Sequence, residues 1–216
     1  LEPGTPVPGE GVLFDGNVEA EGHEFFSLGS FDVSADGTRV LYGVDVAGDE
    51  RYVIRVRDLA SGENLADEIP GTSAGAEFSP DGASIFYTTV DEAWRPDTLW
   101  RHRVGSPVDS DVKVFYEPDE RFWLGAGFTR SERFLMISMG SSVTSEVLLL
   151  DADALDAEPR VVWPRVEGVE YGVEHAVVDG RDVLLILHND DALDFEWVQV
   201  DAEDPQGGRR VILPHT

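Results

Sequence analysis

The chain repeats one stretch four times, and that repetition narrows the folds open to it more than any other property. The clearest copy runs Ala76-Glu77-Phe78-Ser79-Pro80-Asp81-Gly82-Ala83-Ser84-Ile85-Phe86-Tyr87, an apolar strand, a Ser-Pro-Asp-Gly turn and a second apolar strand. Related copies begin at Phe31, Phe128 and Ala176. Taking Gly37, Gly82, Glu132 and Gly180 as equivalent points, the spacings are 45, 50 and 48 residues. Four-stranded propeller blades recur at roughly 40 to 50 residues. The expectation is an all-β chain: a β-propeller fragment of about four four-stranded antiparallel blades, drawn from a larger ring.

Each repeat divides the same way. In the first, strands are expected near 28–33, 38–46, 52–58 and 64–69, with Leu59-Ala60-Ser61-Gly62 as the last turn. Tyr52, Ile54 and Val56 alternate with Val53, Arg55 and Arg57, the two-residue period of a half-buried strand. The blades are read as 25–69, 70–118, 119–166 and 167–214, after a lead-in over 1–24. Pro and Gly crowd residues 1–11, which need not be ordered. Residues 151–157 alone could pass for a helical turn, and their place between a third and a fourth strand predicts a hairpin loop instead.

Composition removes whole classes of function. With no cysteine there is no disulfide, thiolate metal site or cysteine nucleophile, and a reducing, cytoplasmic setting is expected. No apolar run reaches the ~18 residues of a membrane span, so no membrane partner is expected. The 43 acidic and 16 basic residues give a net charge of −27, which excludes nucleic acid and favours cationic ligands.

The residues also resemble a known family. Asp15-Gly16-Asn17, residues 21–29, Ser34-Ala35-Asp36-Gly37, Gly48-Asp49-Glu50-Arg51-Tyr52 and Tyr87-Thr88-Thr89-Val90-Asp91-Glu92 are similar to the prolyl oligopeptidase family. Residues 99–105, 116–122, 144–147 and 157–160 narrow the resemblance to its oligopeptidase B branch. It runs from about Val12 to the C-terminus. The resemblance implies a seven-bladed propeller over an α/β-hydrolase domain carrying a Ser-Asp-His triad. This chain would hold roughly the middle four blades, and its partners would be its own C-terminal α/β-hydrolase domain and short basic peptides. The parent would be a serine peptidase cleaving short peptides after Arg or Lys, the propeller acting as a gate. No catalytic residue transfers to this chain, and no cofactor or metal is expected.

Gly71-Thr72-Ser73-Ala74-Gly75 matches the nucleophile-elbow pattern, with Asp91 and His102 following in hydrolase order. The elbow requires a strand before and a helix after. Pro70 and a following strand break that context, so chance is the better reading. The five histidines, at 23, 102, 175, 188 and 215, show no metal-ligand spacing, and Asp151-Ala152-Asp153 and Asn189-Asp190-Asp191 read as solvated turns. Trp94, Trp100, Trp123, Trp163 and Trp197 are expected in blade cores, Trp123 least securely because it precedes an inner strand.

Six carboxylates near inner strands are the candidates for steering a cationic peptide: Glu77, Asp91, Glu92, Asp119, Glu120 and Glu174. Two rivals stay open: a stand-alone propeller serving as a protein-docking module, and a propeller glycosidase using a carboxylate pair such as Asp91 and Glu120.

Overall fold

The computed structural model describes Gly9 and residues 11–216, and sixteen strands make up about half of it. A one-turn helix α1 (Gly16–Glu19) precedes β1 (Ser27–Val33), β2 (Arg39–Asp45), β3 (Tyr52–Asp58) and β4 (Asn64–Thr72). The second group is β5 (Glu77–Phe78), β6 (Ser84–Val90), β7 (Pro96–Arg103) and β8 (Val112–Tyr116). The third is β9 (Trp123–Phe128), β10 (Phe134–Gly140), β11 (Ser145–Asp151) and β12 (Arg160–Trp163). The fourth is β13 (Tyr171–Val178), β14 (Arg181–His188), β15 (Glu196–Asp201) and β16 (Arg210–Leu213). Every pairing is antiparallel between neighbours in each group.

The turn that marks the first three repeats is built from side chains. Ser34 Oγ donates to Asp36 Oδ1 (2.7 Å) and accepts from Arg39 N (3.0 Å), while Gly37 N closes onto the Ser34 carbonyl (2.7 Å). Ser79, Asp81 and Gly82 repeat this at 2.6, 2.9 and 2.7 Å. Hydrogen bonds from Ser34 and then Thr38 hold Asp36 at a pKa of about 2. Gly37 and Gly82 sit at φ +68° and +65°, a conformation that only glycine adopts freely. In the third group Glu132 takes that position at φ +59°. In the fourth the turn shrinks to Asp179-Gly180, both at positive φ, as a two-residue hairpin turn requires.

Three apolar layers lie between successive sheets rather than one central core. Leu41, Ile54, Ile69 and Ile85 fill the first; Phe86, Leu99, Leu135 and Ile137 the second; Phe134, Leu149, Leu184 and Ile186 the third. Strand alternation divides the third sheet between two layers. Leu148 and Leu150 face the second sheet while Val147 and Leu149 face the fourth, so a nearly continuous apolar strand results.

The first two sheets are joined, which the repeat did not foretell. β4 runs to Thr72, where Gly71 at φ +73° turns it onto β6, and Thr72 pairs with Thr89. Two-residue β5 covers only Ile85 and Phe86, leaving the upper edge of β6 open. Thr72 and Ser73 take up those edge groups, Ser73 N donating to the Thr88 carbonyl at 2.8 Å.

Part of the expected lead-in is packed. Phe14 lies 5.0 Å from Tyr42 and 5.9 Å from Phe31, and α1, capped by the Asp15 carboxylate, places Glu19 against Arg57 at 2.8 Å. The Pro- and Gly-rich start falls, apart from Gly9 and Gly11, outside the described residues. Residues 152–159 form the elaborated turn read from the sequence.

Candidate functional site at the loop rim and channel wall

Up-and-down strands put alternate connections at opposite ends of the sheets. One end, here the upper rim, carries the loops after β2, β4, β6, β8, β10, β12 and β14; the other carries the Asp-Gly turns and the loops after β3, β7, β11 and β15. The two ends differ in chemistry. Val46, Trp94, Tyr116, Trp123, Val143, Val166 and Leu193 all stand exposed on or beside the upper-rim loops. Among the described residues, none of the lower-rim turns or loops exposes a large hydrophobic side chain, although Val33, Leu65, Val112, Val177 and Val211 stand exposed on the strand ends beside them. Scattered exposed apolar residues are ordinary, but on the loops themselves, as opposed to the strand ends, they occur at the upper rim alone among the described residues, which suits that rim to a partner.

The upper rim is rigidly held. Arg95, 5% exposed, pairs with Asp91 at 2.9 Å and donates to the carbonyls of Glu117 (3.2 Å) and Phe122 (2.9 Å). Arg165 reaches the loop from the other side, bonding Glu117 at 2.6 Å and Glu146 at 2.7 Å while lying 4.0 Å over the Phe122 ring. Burial alone would lower the Arg165 pKa, but bonds to the two glutamates outweigh it and raise it. Together these arginines fix the 117–122 loop and with it Glu120 and Trp123.

Between Arg95 and that loop lies a cleft of about 580 Å³, lined by Asp91, Glu92, Asp97, Tyr116, Glu120 and Trp123. It therefore gathers three of the six sequence candidates, Asp91, Glu92 and Glu120. Asp91 is structurally occupied: backbone bonds from Arg95, then its side chain, hold its pKa low, and Ala93 N also donates to it (2.8 Å). Such an ion-paired carboxylate is a poor general acid, which disfavours the glycosidase reading. Asp119 stands apart, clamped by Arg121 at 2.7 Å and lowered to a pKa of about 2 by that side chain first.

Glu77 and Glu174 belong to the inner strands instead. Glu77 Oε1 accepts from Phe128 N of β9 at 2.6 Å, and Asp32 of β1 accepts from Phe78 N of β5 at 2.8 Å. Glu174 on β13 accepts from Arg130 N at 3.2 Å. Burial first, and the Asp32 charge after it, push the Glu77 pKa up to about 7. Asp32 was not among the sequence candidates; its alignment with Glu77, two residues before the turn serine, was the available signal.

Three tryptophans depart from the core expectation. Trp163 is buried, but Trp94, Trp123 and Trp197 are 41%, 58% and 36% exposed. Trp94 sits in a loop at φ +62°, bonded to the Asp49 carbonyl (2.6 Å) with Arg51 stacked 4.4 Å over it. Trp123 opens β9 at the rim, and Trp197 lies on the outer face of the fourth sheet.

Ser73 bonds the Thr88 hydroxyl and the Ala74 carbonyl and is followed by β5, not a helix. His102 is fully buried between Asp67 (2.9 Å) and Asp111 (2.7 Å), a structural clasp far from any elbow geometry. Among the described residues no helix is long and apolar enough to cross a membrane.

Residues 3–216 match the family model described as prolyl oligopeptidase, N-terminal beta-propeller domain. The chain is 37% identical to Protease 2 of Moraxella lacunata over 90% of its length and 28% of that protein. It is 34% identical to dipeptidyl aminopeptidase BI of Pseudoxanthomonas mexicana, covering 77% of this chain and 23% of that one. Oligopeptidase B from Leishmania major superposes with a TM-score of 0.87 at 29% identity, over 94% of this chain and 29% of that one. The chain thus spans under a third of the length of these relatives. It belongs to the N-terminal β-propeller domain family of the prolyl oligopeptidases.

Proposed function

We propose that this propeller is the gating domain of an oligopeptidase B-like serine peptidase that cleaves short peptides after Arg or Lys. The observation that carries the reading is the set of exposed apolar side chains on the upper-rim loops, which the lower-rim loops lack among the described residues. It offers Trp94, Trp123, Val143 and Val166 as the seat for a C-terminal α/β-hydrolase domain, which supplies the catalytic triad. Burying such side chains against a partner contributes roughly 1.5–3 kcal/mol each before association costs. Likeness to Protease 2 and oligopeptidase B supports the substrate class. So does the net charge of −27, which attracts cationic peptides. Glu77, Asp91, Glu92, Asp119, Glu120 and Glu174 are the proposed steering residues, and the cytoplasm the proposed location.

The test replaces Trp123, Val143 and Val166 together with serine in the full-length peptidase. Hydrolysis of an Arg-Arg reporter should fall at least tenfold while the propeller's circular dichroism and melting stay unchanged. Unaltered hydrolysis would remove the rim from domain docking.

A further inference from the structure

Asp32 and Glu77 each stitch forward from one inner strand to the next, whereas Glu174 of β13 reaches back to the Arg130 amide. Asp32 of β1 takes the Phe78 amide of β5, and Glu77 of β5 takes the Phe128 amide of β9. The third inner strand carries Gly127 at the equivalent place, and a methyl there would lie 3.1 Å from Glu77 Oε1. Glycine thus makes room for the second stitch and ends the series. The two stitches border one cleft of about 210 Å³ at the lower end of the inner strands, lined also by Phe78, Pro80, Arg130 and Glu132.

We propose that Glu77 makes the seam between the second and third blades proton-sensitive: closed while its carboxyl is neutral and loosened once it ionises. The Phe128 N–H bond is stronger to an ionised carboxylate, but burial and the Asp32 charge outweigh it, and a neutral carboxyl keeps that bond through its carbonyl oxygen. An ionised one must sit half-buried beside a second carboxylate. The charged groups sharing its cleft are Asp32 from β1 and Arg130 and Glu132 from the β9–β10 turn; Arg39 of β2 lies over the neighbouring Phe78 ring (5.7 Å), and Glu174 of β13 is held on the Arg130 amide. No basic side chain is paired with Glu77 among the described residues. Its raised pKa of about 7 agrees in sign. The stability tied to a neutral Glu77 is fully present below about 4.5, the ordinary value, and is lost as pH rises from there through about 7. The seam then governs how tightly these blades close around the inner channel as pH rises toward neutrality.

Amide hydrogen exchange on the 216-residue chain tests this directly. Corrected for intrinsic rates, protection at Phe128 should fall about tenfold between pH 6 and pH 8.5, the linkage expected if opening hydrates Glu77 fully. Ile186, in the third layer, should not change over the same range. Glu77→Gln should hold Phe128 protection within twofold. Asp32→Asn, which removes a neighbouring charge, should shrink the fall and decides the matter if Glu77→Gln does not fold. A pH-independent Phe128, or an equal fall in Glu77→Gln or in Asp32→Asn, overturns the proposal.

Discussion

Replacing Arg165 with methionine isolates the pin that holds the upper rim. The substitution keeps most of the side-chain volume and removes one charge. Left behind are Glu117, whose side chain is 2% exposed, and Glu146 at 14%. Breaking a buried pair from one side costs about 3–5 kcal/mol, because the stranded carboxylate keeps its desolvation penalty. Arg165 itself is 29% exposed, so solvent screens part of this and the lower end, about 3 kcal/mol, is the expected loss. Thermal unfolding should drop by roughly 6–12 °C for a domain of this size. Urea unfolding followed by fluorescence measures the change, and the double variant Arg165→Met/Glu117→Gln should regain most of it by removing the stranded charge. A single-variant loss under about 1 kcal/mol, or no recovery in the double variant, would refute the claim that this pair is coupled.

Glu132→Gly should stabilise the chain by about 0.5–1 kcal/mol, because relief of a left-handed backbone exceeds the entropy glycine adds to the unfolded state; equilibrium unfolding reads it. Gly29→Ala should destabilise by about 1–3 kcal/mol, since its methyl would lie 2.3 Å from Tyr52 Cε1, and Tyr52→Ala in the same chain should offset the clash. Neutralising Glu77, Asp91, Glu92, Asp119, Glu120 and Glu174 in the full-length enzyme should flatten the salt dependence of kcat/KM for a dibasic peptide and leave an uncharged one unaffected. Ser73 should not react with a fluorophosphonate, and labelling lost on Ser73→Ala would place a nucleophile where the fold has none.

The fold was legible because its signals are local. Ser-x-Asp-Gly turns and two-residue alternation occur within a few positions, and the structure uses Ser34, Asp36, Ser79 and Asp81 in the hydrogen bonds those motifs favour. What the sequence concealed depends on distance along the chain. Thr72 leaves its sheet for β6 because β5 is short, and no pattern in Pro70-Gly71-Thr72 announces a vacant edge elsewhere. Tryptophan identity signals burial on average, yet Trp94 and Trp123 lie at loop or strand starts where no second sheet covers them. The cleft beside Arg95 was half visible. Asp91, Glu92 and Glu120 stood out as acidic residues near inner strands, whereas Tyr116, Asp97 and the pinning arginine joined them only through the fold. The apolar side chains of the upper rim are spread over six loops far apart in sequence and meet as a surface only in the fold.

That surface leads to the most direct measurement, a hydrogen-exchange footprint of the propeller with and without the hydrolase domain of its parent enzyme. Amides in the upper-rim segments 91–95, 117–123, 141–144 and 164–168 should gain protection, and those in the lower turns 34–38, 79–83 and 129–133 should not. Protection confined to the lower turns, or absent from both ends, would contradict the account.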